Sequence, residues 1–486
     1  MRILVCFFLI LCLHCEAQNQ FNKRFDLYQS WGDAAMSLVV DSNSIWIAIA
    51  TLPLGQASGP WASGLLQLDF NGNILDTNLY SIPNTFVYPG GPGSLNPAND
   101  GFILGGSFED STGNSEALLI RIGNNGDTLW TRKYGDAYFQ SGWMAKQSHD
   151  GGFLLCGQSA YGNMQLMGNA LLLKTDSIGN LLWQKTYGDS IGSELAFSFV
   201  ETANGGYALS GQWRTGAEND IWIALIDSSG TMYWDSIIHN VIDYNDAAWN
   251  IINTSDGNLL VTGFYAWQSQ SPQPYFIKLD LSGNIIWDKK YLKAFGSVQV
   301  FSTRELTDGS FISVGFHNLP PHPTRRAFLL KLSANGDSLW YHDYINGAYS
   351  AHELRDVYPA PDGGFVACGW MYPSLPDTGH QDFWVIRVDS MGCEISNCTV
   401  VIYELTEKLN PLTVFPVPFS SELNISLKEG FLEGRIQIFD ATGNLKVQQE
   451  VNNNHITVKT VDWPKGIYFL KYQFKSHTFN KKIVKF

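Results

Sequence analysis

The chain has 486 residues, of which 45% are hydrophobic and 14% aromatic, so it can form a packed core and disorder is not expected. The net charge is −14 and is uneven. Residues 412–486 hold ten Lys and Arg against six Asp and Glu, which leaves 21 − 39 = −18 for residues 1–411. A surface this acidic repels phosphate backbones, which argues against nucleic acid as a partner.

The first residues are typical of a secretion signal. Arg2 is followed by an apolar run from Ile3 to Leu13 that is too short to span a bilayer comfortably. Small residues at Cys15 and Ala17 predict cleavage after Ala17, so residues 1–17 are the expected signal peptide. Acylation of Cys15 as a lipoprotein is the alternative. No later stretch is apolar enough for a transmembrane helix, so we expect a secreted or outer-surface protein.

An internal repeat of about 53 residues follows. Each copy has an apolar pair, a basic residue and a turn with Gly, then Leu-Trp and an aromatic residue, as in LLLKTDSIGNLLWQKTYG from Leu171. The turn glycines lie 54, 53, 51, 53, 53 and 56 residues apart; they are Gly72, Gly126, Gly179, Gly230, Gly283, Gly336 and Gly392. Five of these seven turns are followed by Trp: Trp130, Trp183, Trp234, Trp287 and Trp340.

Each copy divides into four short strands with Asp-Gly or Asn-Gly hairpin turns, and helical periodicity is absent. Four-stranded units repeated at this period are typical of β-propeller blades. We therefore predict an all-β fold, with a seven-bladed propeller over residues 18–398. The repeat itself resembles those of long secreted bacterial repeat proteins.

The ends of the repeat region predict how the ring closes. The seventh copy stops near Cys393 without its Trp strand, whereas Phe25–Asp33 is similar to the fourth strand at Leu182–Asp189. We expect Phe25–Gly32 to complete the last blade beside residues 383–389. Such closure removes exposed sheet edges between the ends of the ring.

The cysteines are interpreted from their surroundings. Cys393 and Cys398 frame a short segment and could form a disulfide in an oxidising exterior. Cys156 and Cys368 fall inside apolar strands of two repeats, so we expect buried free thiols. No cysteine spacing fits a zinc site.

After a linker at 399–411, residues 412–486 alternate apolar and polar side chains, which predicts a small β-sandwich. Phe439-Asp440 with Gly443, the strand Gly466–Phe469 and the closing Lys481–Lys485 resemble the type A C-terminal sorting domain of the Bacteroidetes type IX secretion system. One difference is Pro416-Val417-Pro418, where the family usually has Pro-Asn-Pro. An accessory β-domain, such as a carbohydrate-binding module, is the alternative.

The resemblance implies that the type IX machinery is a partner and that the passenger is anchored to surface polysaccharide or released. It assigns the sorting signal to Gly466, Tyr468, Lys481 and Lys482. In a propeller the long loops share one face, and binding residues concentrate on such loops. Candidate ligand-binding residues on this face are Trp143, Trp213, Asp246, Trp249, Trp267, His317, Glu353, Trp370 and Tyr372.

Aromatic rings beside carboxylates suit sugars, although such rings also pack between blades. No catalytic motif appears, so catalytic residues stay unassigned and no cofactor is expected. A structural cation such as calcium, held where Glu194, Asp246 and Glu353 begin first strands, is a weaker hypothesis. The leading interpretation is a non-catalytic binding or adhesion propeller, with glycans as the candidate ligands. The alternatives are a polysaccharide hydrolase or lyase, and a structural surface-layer component.

Overall fold

The computed structural model describes most of the chain, and every regular element in the described residues is a β-strand. These residues are 20–27, 32–52, 61–82, 85–135, 139–160, 168–188, 192–215, 218–238, 245–267, 271–291, 297–318, 324–347, 351–373, 380–394, 412–415, 419–427, 434–474 and 477–485. The described residues contain no helix that is long and apolar enough to cross a membrane. The predicted signal peptide lies outside the described residues.

The chain divides into two compact units, Met1–Leu405 and Thr406–Phe486, and the division falls inside the predicted linker. The first unit contains seven antiparallel sheets of the predicted four-stranded kind, so the seven-bladed propeller is confirmed. In six sheets the strand order follows the chain. The seventh takes its outermost strand from the other end of the unit, in the order β1-β29-β28-β27.

The strands of the first three blades are as follows. Blade 1 contains β2 (Asp33–Val40), β3 (Ile45–Thr51), β4 (Ala62–Leu68) and β5 (Ile74–Tyr80). Blade 2 has its first strand split in two and contains β6 (Phe86–Pro89), β7 (Leu95–Ala98), β8 (Gly101–Glu109), β9 (Ser115–Gly123) and β10 (Thr128–Tyr134). Blade 3 contains β11 (Phe139–Gln147), β12 (Phe153–Ala160), β13 (Gly168–Thr175) and β14 (Leu181–Tyr187).

The remaining blades repeat the pattern. Blade 4 contains β15 (Ser193–Glu201), β16 (Tyr207–Thr215), β17 (Glu218–Ile226) and β18 (Met232–Ile238). Blade 5 contains β19 (Ala247–Asn253), β20 (Leu259–Trp267), β21 (Ser271–Leu279) and β22 (Ile285–Lys290). Blade 6 contains β23 (Val298–Glu305), β24 (Phe311–His317), β25 (Arg326–Leu332) and β26 (Ser338–Tyr344). Blade 7 contains β27 (Ala351–Pro359), β28 (Phe365–Tyr372), β29 (Asp382–Val388) and β1 (Phe21–Phe25).

The hydrophobic core lies between the blades. Seven clusters of buried side chains each join one blade to the next, including the last to the first. The second and third strands are covered on both faces, which explains why they are apolar along their length; β3 is buried at every position. Cys156 and Cys368 belong to this core as free thiols, as expected.

A repeated contact fastens each blade to its neighbour. The Trp of a fourth strand covers the turn glycine of the following blade, as Trp183 covers Gly230. Since that glycine has φ +80°, another residue there would be strained as well as crowded. Nearby, the hydroxyl of Tyr187 donates to the carbonyl oxygen of Gly230 at 3.0 Å. The same Tyr-to-Gly bond occurs in Tyr80–Gly126, Tyr134–Gly179, Tyr291–Gly336 and Tyr344–Gly392.

The ring closes through its N-terminal strand, but the strand is not the one that the repeat alignment predicts. β1 pairs with β29 in the register Phe21↔Arg387 to Phe25↔Phe383, so the closing strand is Phe21–Phe25 and not Phe25–Gly32. Phe21 takes the place of the Trp and covers Gly72. The repeat alignment misplaces the closing strand because Phe occupies the position at which the other copies have Trp. Without that Trp, the segment before the predicted strand does not resemble the fourth strand of the repeat.

The second unit consists of two sheets that enclose one hydrophobic core. One sheet has the order β30 (Leu412–Phe415), β31 (Glu422–Leu427) and β34 (His455–Lys459). The other has the order β33 (Leu445–Val451), β32 (Gly434–Asp440), β35 (Gly466–Phe474) and β36 (His477–Lys485). Alternating burial, as in Leu423, Ile425 and Leu427 of β31, places one face of each strand in the core. The β-sandwich is therefore as expected.

Candidate functional site

The innermost strands carry an extra residue at the same place. The register of the first strand slips by one residue between Gly142 and Met144, which leaves Trp143 bulged out of the pairing. Equivalent slips occur in five other blades, at Met36, Phe197, Trp249, Phe301 and Arg355. A bulge re-aims the extra side chain. The sequence therefore builds one redirected residue into six of the seven inner strands.

These bulged residues meet near the propeller axis. The ring centroids of Trp143 and Trp249 are 6.0 Å apart although they belong to blades 3 and 5, and Phe197 lies 4.8 Å and 4.3 Å from them, respectively. Trp249 also lies 5.6 Å from Phe301. Residues of non-adjacent blades can touch in this way only around the axis. We call Trp143, Phe197, Trp249 and Phe301 the axial aromatic cluster.

Blade 2 makes room for this cluster. A Cβ atom added to Gly91 would lie 2.5 Å from the ring of Trp143, and its three nearest atoms all belong to that ring. Gly91 falls in the segment that separates β6 from β7. The interrupted strand of blade 2 therefore gives Trp143 the space that a bulged side chain would otherwise occupy.

Polar groups near the axis link the blades beside the aromatic cluster. Asp356, fully buried, accepts hydrogen bonds from the hydroxyls of Ser37 at 2.9 Å and Ser302 at 2.7 Å, and so joins three blades. Lys146 of blade 3 interacts electrostatically with Arg304 and Asp356 across the ring. Burial, followed by the charge of Arg304, lowers the pKa of Lys146 to about 8. These contacts make the axis a rigid support.

A charged group extends from the axial aromatic cluster. The guanidinium of Arg355 lies 4.3 Å from the ring centroid of Phe301 and forms an ion pair with Glu353. Arg325 forms a second ion pair with the same carboxylate. Burial lowers the pKa of the Arg355 guanidinium, whereas the Glu353 charge opposes that shift. An arginine keeps its charge in such a setting, so the group holds two cations and one anion.

Arg325 continues the group outward between blades 6 and 7. Its guanidinium lies 4.0 Å from the ring centroid of Phe316 and 5.5 Å from that of Trp370. Trp370 in turn lies 5.4 Å from Tyr372, in an edge-on arrangement, and Tyr372 is 45% exposed. We call Phe316, Arg325, Glu353, Trp370 and Tyr372 the blade 6–7 patch.

The fold explains why these residues meet. Glu353 pairs with Trp370 across β27 and β28, and Phe316 and Arg325 lie at the end of β24 and just before β25. Ends of second strands, starts of third strands and starts of first strands all lie at one face of the ring. That face is the long-loop face that the sequence nominates for binding.

The structure brings five of the nine predicted ligand-binding residues to this region, either in the axial aromatic cluster or in the blade 6–7 patch. They are Trp143, Trp249, Glu353, Trp370 and Tyr372. Trp213 is elsewhere, half-buried against the core between blades 3 and 4. Trp267 ends β20, and its side chain lies outside the described part of the chain.

Two predicted site residues are placed differently from the prediction. Asp246 is 2% exposed, and its carboxylate accepts the backbone N–H of Ala266 at 2.7 Å. His317 is 1% exposed, and its Nε2 lies 2.8 Å from Asp343. Both side chains serve contacts within the fold because they sit where strands lie close together, so neither is presented to a ligand.

Sequence reasoning missed Phe316, Arg325 and Arg355. A signal existed for the bulge position, because Trp143, Phe197, Trp249, Phe301 and Arg355 recur at spacings of 54, 52, 52 and 54 residues. A large side chain at a fixed place in each repeat is typical of a core residue. Only the register slip in the structure shows that the bulge turns this side chain in another direction. Nothing in the sequence pairs Arg325 with Glu353.

The hypothesis of a structural cation at Glu194, Asp246 and Glu353 stays a prediction, and two of these carboxylates have partners within the fold. Glu353 is ion-paired with two arginines and Asp246 holds a backbone N–H. In the described part of the chain, the group with suitably close ligand atoms is instead Asp26, Asp33 and Asp382. There Arg24 Nε lies 2.5 Å from Asp382, so a cation would have to compete with a guanidinium.

The predicted sorting residues occupy the second unit. Gly466 begins β35, and Tyr468 is buried with its hydroxyl donating to Pro464 at 2.6 Å. Lys481 is half-buried, and the side chain of Lys482 lies outside the described residues. Cys393 is disulfide-bonded, while its predicted partner Cys398 falls in an undescribed segment.

Comparison with known proteins identifies the second unit. Residues 413–485 match the family described as Secretion system C-terminal sorting domain. The chain is therefore a seven-bladed β-propeller protein with a C-terminal sorting domain. That domain is of the type IX secretion system, so the protein is exported and then attached to the cell surface or released from it. The type IX secretion machinery recognises such domains. No curated protein sequence matches the chain.

Solved structures resemble the chain at low identity. PorZ, an essential surface component of the type IX secretion system of Porphyromonas gingivalis, is 12% identical over 93% of this chain and 70% of its own, with TM-score 0.30. A Dyadobacter fermentans protein of unknown function is 11% identical over 76% and 99%, with TM-score 0.42. The polysaccharide lyase Uly1 is 9% identical over 73% and 90%, with TM-score 0.46. These values carry no conclusion about activity.

Proposed function

We propose that this exported protein is a non-catalytic carbohydrate-binding protein and that the blade 6–7 patch binds the glycan. The observation that carries the proposal is the pair of half-buried Trp370 and exposed Tyr372 beside the charged side chain of Arg325. Aromatic faces stack on the apolar faces of sugar rings, and charged or amide groups bind hydroxyls. The patch offers both kinds of group within one surface.

Rigidity supports the same proposal. Trp370 and Tyr372 lie on a second strand, and Arg325 is stacked on buried Phe316 and ion-paired with Glu353. Side chains that are already fixed lose little conformational freedom on binding, so the ordering of these side chains reduces the binding free energy less. A site of this construction suits binding in the extracellular medium, where the sorting domain delivers the protein.

The carboxylates near the patch favour binding over hydrolysis. A glycosidase uses two facing carboxyl groups, one to donate a proton and one to act as a base or nucleophile. Glu353 is 1% exposed and shared by two arginines, while Asp246 is occupied by a backbone N–H. Both carboxylates therefore already have partners within the fold.

A glycan array with the purified full chain, followed by calorimetry on the best ligand, tests the proposal. We expect Trp370→Ala and Tyr372→Ala each to weaken binding about tenfold, the loss expected for one aromatic contact of about 1.4 kcal/mol. Tyr233→Ala is the matched control, because Tyr233 is 63% exposed on the outer strand of blade 4. It should leave the affinity unchanged.

Three results would overturn the proposal. The first is that no glycan binds, and the second is that the two patch variants bind as well as the unchanged protein. The third is release of cleaved product from a glycan panel, which would make the protein a hydrolase or lyase. Regular self-assembly without glycan binding would instead support a structural surface-layer role.

A further inference from the structure

The blade 6–7 patch and the adjoining Arg355 together carry an unbalanced positive charge. Arg325 and Arg355 both pair with the single carboxylate of Glu353, so these three groups carry a net charge of +1. Glu353 is the carboxylate that acts electrostatically on Arg355, and Arg325 is the cation that does so. A positive site stands out on a chain whose net charge is −14.

The two guanidinium groups also have hydrogen-bonding capacity left over. Each guanidinium has five N–H donors. The Nε of Arg355 is buried and has no hydrogen-bond partner in the described residues. Arg325 is 33% exposed in its side chain, so part of its guanidinium faces solvent beside Trp370. Glu353 is 1% exposed and is shielded by the two arginines.

We infer that the glycan bound by this patch is acidic, with a carboxylate or sulfate group on the exposed edge of Arg325 and a sugar face on Trp370 and Tyr372. This inference rests on the proposed function. Guanidinium groups bind carboxylate and other oxyanions through two parallel hydrogen bonds, which are stronger than bonds to a neutral hydroxyl. A bound anion would also neutralise the net positive charge of the two cations and one carboxylate.

The surroundings favour this pairing over simple ion exchange. Phe316, which is 5% exposed, lies under Arg325 and shields one face of its guanidinium from water, which strengthens the ion contact.

The ligands for the test come in matched pairs. One pair is oligogalacturonate and its fully methyl-esterified form, and the other is a sulfated galactan oligosaccharide and its desulfated form. Calorimetry with the full chain should show at least tenfold tighter binding of the acidic member in one pair. The pair that shows the preference identifies carboxylate or sulfate as the group recognised.

Variants assign the preference to the patch. Arg325→Gln should remove the preference for the acidic ligand, so that the acidic and neutral members of the pair bind with affinities within about twofold of each other. Arg325→Lys, which keeps the charge and loses the paired donors, should retain part of it. Arg435→Gln is the control, because Arg435 is an exposed, ion-paired arginine of the second unit. Thermal unfolding of each variant establishes that the propeller is folded.

The outcomes separate this inference from the proposed function. Equal affinity for acidic and neutral partners, or an equal loss of both with Arg325→Gln in a folded protein, would overturn the acidic preference and leave glycan binding intact. Failure to bind either member of either pair, or any sugar on the array, would overturn the glycan-binding proposal itself.

Discussion

The ammonium group of Lys23 lies 3.0 Å from the carbonyl oxygen of Gly72, and this hydrogen bond fastens the last blade to the first. In five other places a tyrosine hydroxyl donates to the corresponding glycine carbonyl, as Tyr344 does to Gly392 at 2.6 Å. β1 ends in Phe25, which has no hydroxyl, and Lys23 supplies the donor instead. The ring is thus closed by the same kind of contact that joins its other blades.

Removing an aromatic side chain of β1 should weaken this closure. Phe25 is 9% exposed and packs in the core between blades 7 and 1, so Phe25→Ala should lower the free energy of unfolding by about 3 kcal/mol. Thermal unfolding measures the effect. Leu129→Ala is the control, because Leu129 is 57% exposed. A Phe25→Ala protein that melts with the unchanged protein would show that β1 does not hold the ring closed.

The tyrosine contacts predict a loss of stability at alkaline pH. Burial raises the pKa of Tyr134, Tyr187 and Tyr344 above the ordinary value of 10. The folded protein therefore retains these protons when the unfolded chain has lost them. This contribution to stability is complete below pH 10 and is lost as the pH rises toward the folded-state pKa values. Denaturant unfolding at pH 8 and at pH 10.5 measures the change.

Substitution of a single tyrosine tests its contribution to this loss of stability at alkaline pH. Tyr187→Phe removes one ionisable hydroxyl and its bond to Gly230, so it should cost about 1 kcal/mol at pH 8 and show a shallower decline above pH 10. Exposed Tyr233 provides the comparison, and Tyr233→Phe should follow the unchanged protein. Stability that stays constant up to pH 11 would contradict the argument.

Packing of the axial aromatic cluster can be tested through Gly91. Gly91→Ala places a methyl group against the ring of Trp143 and should destabilise the propeller by about 1–3 kcal/mol. In a Trp143→Ala background the same change should cost almost nothing, because no other residue crowds that position. Denaturant unfolding of the two single variants and the double variant completes the cycle. Additive losses would mean that Gly91 does not make room for Trp143.

Lys485 should be essential to the sorting domain as a structural residue. It is 6% exposed, and its ammonium donates to the carbonyl oxygens of Thr460, Val461 and Trp463. Lys485→Met leaves those acceptors without a donor and should cost about 1–3 kcal/mol, with reduced export to the surface or medium. Exposed Lys459 is the control, as Lys459→Met. Normal export of the Lys485→Met protein would contradict this role.

Particular residues show how far the sequence could predict the fold and the candidate site. The turn glycines and the Trp residues after them predict seven blades, because each hairpin turn requires a positive φ at the same place in its repeat. The register of β1 could not be predicted in the same way. Phe21 and Phe25 replace the Trp and Tyr of the repeat, so the similarity was assigned to the following segment.

The candidate site, too, could be predicted from the sequence only in part. Trp370 and Tyr372 could be nominated because they lie at the end of an apolar second strand and precede a long loop. The sequence could not predict which of the candidate residues are exposed to solvent. His317 ends the second strand β24 and Asp246 lies just before the first strand β19, and both are buried. Whether such a residue faces solvent depends on which side chains of the adjacent blade lie over it.

The sequence by itself determined the number of blades, the use of an N-terminal strand to close the ring and the C-terminal sorting domain. These features depend on patterns that repeat along the chain or lie within one short segment. Only the tertiary structure decided the position of the closing strand, the meeting of Trp143 with Trp249 and the sharing of Glu353 by Arg325 and Arg355. Each of these joins residues far apart in sequence, and their proximity is created by the ring and by the one-residue bulges of its inner strands.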